Sequence, residues 1–155
     1  MSMEGDPSMI PGTAPVEILL VEDNPGDVRL VQEALRDCDA PLHLTVARDG
    51  EEALDYLFHS RGHEKVPRPH IILLDLNLPK KSGHEVLQGV KSDAALCSIP
   101  VVILSSAASR EEVNRCYRLS ANCYIRKSMD LEGTLQSVRD ICFFWLRRVV
   151  LPTSV

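Results

Sequence analysis

At 155 residues, with 45% apolar and 25% charged side chains, the chain holds enough material to bury one core and leaves no room for a second catalytic or DNA-binding unit. The formal net charge of -5 argues against a polyphosphate partner, because nucleic-acid binders present a net basic face, and Lys80-Lys81 and Arg147-Arg148 are isolated pairs. No apolar run approaches the roughly eighteen residues of a membrane span, and the first residues lack the basic-then-apolar order of a signal peptide.

Five cysteines without a CxxC pair read as reduced thiols, which suits a cytoplasmic protein. Residues 1–15 carry three prolines and two glycines without periodicity and read as a flexible tail. Residues 16–149 read as one domain and 150–155 as a short extension.

Val16 to Val21 reads as the first strand, its centre continuously apolar as in a strand covered on both faces. A helix follows from about Pro25, since proline suits a first turn, with Val28, Val31, Ala34 and Leu35 inward. Leu42 to Val46 alternates like a strand near a sheet edge. Asp49-Gly50 turns into a second helix, with Ala53, Leu54, Leu57 and Phe58 expected inward. A polar connection leads to strand Ile71 to Leu74, then to a helix from about Ser82 with Val86, Leu87 and Val90 inward. Strand Val101 to Leu104, a helix near Ser109 to Arg118, strand Cys123 to Arg126 and a helix from Leu131 to Arg148 complete the order.

Strands alternating with helices imply βαβ units with right-handed crossovers, and so an α/β domain whose parallel sheet is doubly wound by helices. In such folds the working site lies beyond the carboxyl ends of the strands. The informative residues fall at that edge: Glu22-Asp23 follows the first strand, Asp75 closes the third, Ser105 the fourth and Lys127 the fifth.

Carboxylates gathered together repel one another and resist desolvation, so they call for a hard cation, and magnesium suits one or two carboxylates with water and phosphate oxygens. Asp75 can then act as nucleophile towards phosphorus, with Lys127 offsetting charge and the Ser105 hydroxyl bonding a phosphoryl oxygen. The same repulsion is expected to burden Asp23 when no metal is bound.

The segments ILLVEDNPGD, IILLDLNLPKKSGHEVL, PVVILSS and CYIRK resemble the response-regulator receiver family over essentially all of residues 16–149. That resemblance implies a flavodoxin-like five-stranded sheet of order 2-1-3-4-5 flanked by five helices. It implies Asp75 as phosphoacceptor, with Asp23, Asp75 and the Asn77 carbonyl as direct magnesium ligands and Glu22 acting through water. It also implies a switch that couples Ser105 to Tyr124, and a sensor histidine kinase as phosphodonor. The pieces DNPGDVRL and LDYLF, with the apolar terminus, are most similar to single-domain regulators partnered with bacterial phytochromes.

Two positions depart from the family pattern: Ser128 stands where proline commonly follows the lysine, and Ser106 stands where a smaller residue is usual.

Plainer readings exist for each residue taken alone. Glu22-Asp23 could cap a helix, Lys127 could be solvated, Tyr124 could be a core aromatic and Ser105 could cap a turn. Alignment of all of them at one sheet edge favours the site. His59 and His63 lack a third ligand to complete a zinc set and read as surface residues, as do His43, His70 and His84. The run from Ile141 to Leu151 exceeds what one inward helix stripe needs, which makes Phe144 and Trp145 candidates for a homodimer interface through the last helix and the strand-five face.

Two other functions fit the sequence less well. A small aspartyl-phosphate phosphohydrolase would want a second acid where Asn77 stands, and a non-phosphorylated receiver-like scaffold has no use for the intact acidic residues and Lys127.

Overall fold

A computed structural model describes residues 14–153. Five strands alternate with five helices in the order β1 (Val16–Val21), α1 (Pro25–Arg36), β2 (Leu42–Ala47), α2 (Gly50–Leu57), β3 (Ile71–Leu74), α3 (Gly83–Lys91), β4 (Val101–Ser105), α4 (Arg110–Arg118), β5 (Cys123–Arg126) and α5 (Leu131–Cys142). All strand pairs are parallel and the sheet order is β2-β1-β3-β4-β5, as the resemblance implied.

The central strands are apolar without interruption because both faces are covered. Leu19, Val21, Ile72, Leu74, Val101 and Ile103 enter one buried layer with residues of α2 and α3. Ile18, Leu20, Ile71, Leu73, Val102 and Leu104 enter the other, with residues of α1 and α5. β2, at the sheet's edge, is only half-buried, which explains its alternating sequence.

Each helix starts on a side-chain oxygen that accepts backbone N–H groups otherwise left without partners. Asn24 opens α1, Asp49 α2, Ser82 α3, Ser109 α4 and Asp130 α5, and Ser82 and Glu85 form a reciprocal capping box. The helices run antiparallel to the strands, so these starts gather around the carboxyl edge of the sheet. Close approach there requires glycine: a Cβ on Gly83 would lie 2.3 Å from the Asp75 carbonyl oxygen, and one on Gly50 would lie 1.9 Å from that of Lys81.

Two helix readings are corrected. In α2 the buried face is Gly50, Ala53, Tyr56 and Leu57, whereas Phe58 is 46% exposed and Leu54 only partly buried. Helical period alone brings 53, 57 and 56 together; Phe58 falls at the C-cap, where the chain leaves the helix.

The last helix is α-helical only to Cys142 and continues as a π-helical turn over Phe143–Arg148, closed by a 2.9 Å bond from the Val149 N–H to the Phe144 carbonyl. This wider coil packs Trp145 and Leu146 against the α1–α5 layer and leaves Phe143 and Phe144 exposed. Of the two aromatics assigned to an interface, then, Trp145 covers the core. Its ring meets Phe144 edge-on at 5.7 Å, and the Arg148 guanidinium sits 4.8 Å above Phe143.

Beyond Val149 the chain turns back under the amino-terminal edge of the sheet, where Pro152 and Thr153 line a crevice with Pro69, His70 and Ile99. The expected tail lies almost wholly outside the described residues, as do positions 154 and 155 of the extension. All five cysteines are free, and among the described residues no helix is long and apolar enough to cross a membrane.

Candidate functional site

At the carboxyl edge, β1 delivers Glu22 and Asp23, held in register by a bond from the Glu22 N–H to the Ala47 carbonyl. β3 delivers Asp75, whose N–H donates to the Val21 carbonyl at 3.0 Å and whose Oδ1 accepts from the Leu76 N–H at 2.8 Å. Oxygens of Glu22, Asp23 and Asp75 all lie within 4.8 Å of one another. Glu22 and Asp75 are buried, and Asp23 is exposed at the mouth.

Lys127 follows β5, anchored by its N–H to the Ser105 carbonyl at 2.9 Å, and its side chain is 9% exposed. The ammonium donates to Glu22 Oε1 at 2.8 Å and to Asp27 Oδ2 at 2.7 Å, and it stands 3.7 Å from Asp75 Oδ2. Burial alone would lower the lysine's pKa, but its bonds to Asp27 and Glu22 and the nearby Asp75 charge raise it above the ordinary value, so it stays charged.

Burial acts on Glu22 in the opposite sense. Desolvation, reinforced by the Asp75 charge, outweighs the Lys127 bond and pushes Glu22 from 4.5 to about 7. The load sits on Glu22, because burial rather than mere proximity makes the charge costly.

Three oxygen donors of one sign, two of them removed from water and one open to it, suit a hard divalent cation that keeps part of its hydration, as magnesium does. Asn77 is exposed in the loop after β3, and its carbonyl accepts no backbone hydrogen bond among the described residues.

Ser105 is fully buried at the end of β4, and its Oγ accepts from the Ala107 N–H at 3.2 Å. The Tyr124 hydroxyl donates to the carbonyl of that same Ala107, so the two switch candidates meet on one residue of the β4–α4 loop. Burial raises the Tyr124 phenol above its usual pKa. The Tyr124 N–H, on the sheet's outer strand, donates to the Tyr117 hydroxyl at 3.1 Å.

Sequence reading thus brought Glu22, Asp23, Asp75, Ser105 and Lys127 to one edge, where the structure has them. It missed Asp27, because an acid in the first turn of a helix is already explained by the helix dipole. Its place in the DNPGD segment, in the first turn of the helix that follows Asp23, was the available signal. Of the histidines expected at the surface only His43, paired with Glu17, is exposed; the other four are part-buried, His70 Nδ1 accepting from the Glu17 N–H, His63 packing on Tyr56 and His84 lying 2.8 Å from Glu112.

A family model described as "Response regulator receiver domain" matches residues 18–139. The chain belongs to the response regulator receiver family. This receiver is 44% identical over 140 residues to response regulator Rcp1 of Synechocystis sp., a match covering 90% of the chain and 95% of the relative. It superposes with a TM-score of 0.88 on a crystal structure of the phosphorylated cyanobacterial phytochrome response regulator RcpA, at 46% identity, covering 90% of this chain and all of that one. A crystal structure of the Mn(2+)-bound form of Rcp1 gives the same TM-score at 45% identity, with the same coverage.

Proposed function

We propose that this receiver takes a phosphoryl group from the phosphohistidine of a sensor histidine kinase onto Asp75. The supporting observation is the Asp75 carboxylate, which lies 3.7 Å from the Lys127 ammonium and shares a 4.8 Å cluster with Glu22 and Asp23. In the transfer, an Asp75 oxygen forms the new bond to phosphorus as the phosphorus–nitrogen bond to the kinase imidazole breaks, and the leaving nitrogen keeps the electron pair.

Lys127 offsets the charge gathered on the transferring group, and the Ser105 hydroxyl donates to one of its oxygens. Asp23, Asp75 and the Asn77 carbonyl would hold magnesium directly, with Glu22 reaching it through water. The ion supplies Lewis-acid neutralisation of phosphoryl oxygens.

When Ser105 turns towards the phosphoryl group it gives up Ala107, and the loop that also holds Tyr124 is released. The phosphorylated state thereby favours a second arrangement of the β4–α4 and β5 surface. The only chemistry we assign is this chain's own phosphorylation and its reversal. Relatives named as phytochrome response regulators support a bacteriophytochrome-type kinase as donor.

We assign the receiver to residues 16–149, with residues 1–15 as a tail and 150–155 as an extension, acting in the cytoplasm without nucleic acid or membrane. A homodimer through the last helix and the β5 face completes the proposal, with the exposed Phe143 and Phe144 as contacts and Trp145 supporting them from beneath.

Incubation with a small phosphodonor and magnesium tests the central step. One acid-labile phosphoryl group per chain is expected, and none in a folded Asp75→Asn variant. Label retained by that variant would place the acceptor elsewhere, and turnover of a phosphate ester in large excess over the protein would return the phosphohydrolase reading.

A further inference from the structure

Of the carboxylates bonded to Lys127, Asp27 lies outside the cluster of Glu22, Asp23 and Asp75. An ammonium has three N–H groups. Here one goes to Glu22 and one to Asp27, while Asp75, at 3.7 Å, lies beyond hydrogen-bond reach. A cation that draws on Glu22 and Asp75 competes with Lys127 for those oxygens and repels the ammonium.

We propose that Asp27 is a positioning residue for Lys127. It provides the seat on which the ammonium stays when a cation withdraws Glu22, so metal and lysine occupy the site together. The inference rests on the reading of this edge as a magnesium and phosphoryl site.

Two features suit Asp27 to the part. Its carboxylate stands on a rigid mount, since the Asp27 N–H donates to Asn24 Oδ1 at 3.1 Å, as does that of Gly26 at 2.8 Å, fixing the first turn of α1. It is also the less buried of the lysine's two partners, with 28% of its side chain exposed against 3% for Glu22, so it carries its charge at a smaller desolvation cost. Without Asp27, Lys127 would rest wholly on Glu22 and Asp75, and a cation would have to displace it. An acid serving only the helix dipole would stabilise α1 and show no dependence on Lys127.

A double-mutant cycle separates these roles. Metal-free full-length protein, Asp27→Asn, Lys127→Gln and the double variant are titrated calorimetrically with magnesium chloride. Asp27→Asn is expected to weaken binding about tenfold in the presence of Lys127 and to weaken it no further in the Lys127→Gln background, a coupling of the size found between contacting groups. Equal losses in both backgrounds would mean that Asp27 acts as a plain charge, and no loss in either would mean that it holds nothing; each overturns the proposal. If wild type fails to bind magnesium, the site reading falls with it, whereas binding with an uncoupled Asp27 overturns this inference alone. Should Asp27→Asn not fold, Asp27→Ser, which keeps a short oxygen on that turn, goes through the same cycle with the same criteria.

Discussion

Lys127 and Glu22 bear opposite electrostatic consequences of the same burial: the lysine gains enough carboxylate contacts to stay charged, while the glutamate loses more solvent than its partners replace. The folded pKa of Glu22, about 7, lies above its ordinary 4.5, so the folded state holds this proton more tightly than the unfolded chain does. The resulting stability is fully present below about pH 4.5 and is lost as pH rises through 7. In a chelator, the wild-type melting temperature should fall across that window by the equivalent of up to about 3 kcal/mol. Glu22→Gln should flatten the fall, and identical pH profiles for the two proteins would contradict the assignment. At this scale the sequence was legible where several residue types converged on one strand edge. It was not legible for Asp27, whose position suits any helix start, nor for the choice between Glu22 and Asp23 as the strained acid. Two adjacent carboxylates look alike until backbone direction sends one inward and leaves the other in water.

The helix starts are what bring the site to its working spacing, and Gly83 is the tightest of their seats beside Asp75. Gly83→Ala would drive a methyl to 2.3 Å from the Asp75 carbonyl oxygen, so α3 must back away. The expected cost is about 2 kcal/mol in chemical denaturation, with slower labelling of Asp75; unchanged stability and labelling would refute this close seat. The closing segment makes a second case. Trp145→Ala should cost about 2 kcal/mol because the half-buried indole covers the α1–α5 layer, whereas Phe144→Ser, at a side chain 55% exposed that touches the edge of that indole, should cost less than about 1 kcal/mol. Equal costs would return Trp145 to the surface. Strand positions and helix starts could be read from apolar runs and capping residues. The π-helical turn could not, since in a run as apolar as CFFWLRRVVL hydrophobic spacing does not distinguish a bond to the fourth residue from one to the fifth. The inward face of α2 was misjudged for a related reason: at Phe58 the helix has ended, and periodicity carries no information past an end.

Across the whole molecule, the phosphoryl site and the apolar end of the last helix lie at opposite edges of the sheet, joined through α5 and the β5 face. Ser105 and Tyr124, meeting on Ala107, link the site to that face. The proposed dimer makes a separable claim: lysine at both Phe143 and Phe144, which spares the core contact of Trp145, should yield a folded monomer in sedimentation. An unchanged oligomer would remove that surface from the account. The doubly wound architecture was readable because alternating strands and helices admit few topologies, whereas the strand order 2-1-3-4-5 came from the resemblance that the motif segments carry. Borohydride reduction of the phosphorylated protein decides whether Asp75 is the residue phosphorylated. This treatment converts an acyl phosphate to an alcohol, and the modified peptide is then sequenced by mass spectrometry. Homoserine at position 75 alone is expected; homoserine at position 23, or phosphorylated protein in which no aspartate is reduced, would exclude Asp75 as the acceptor.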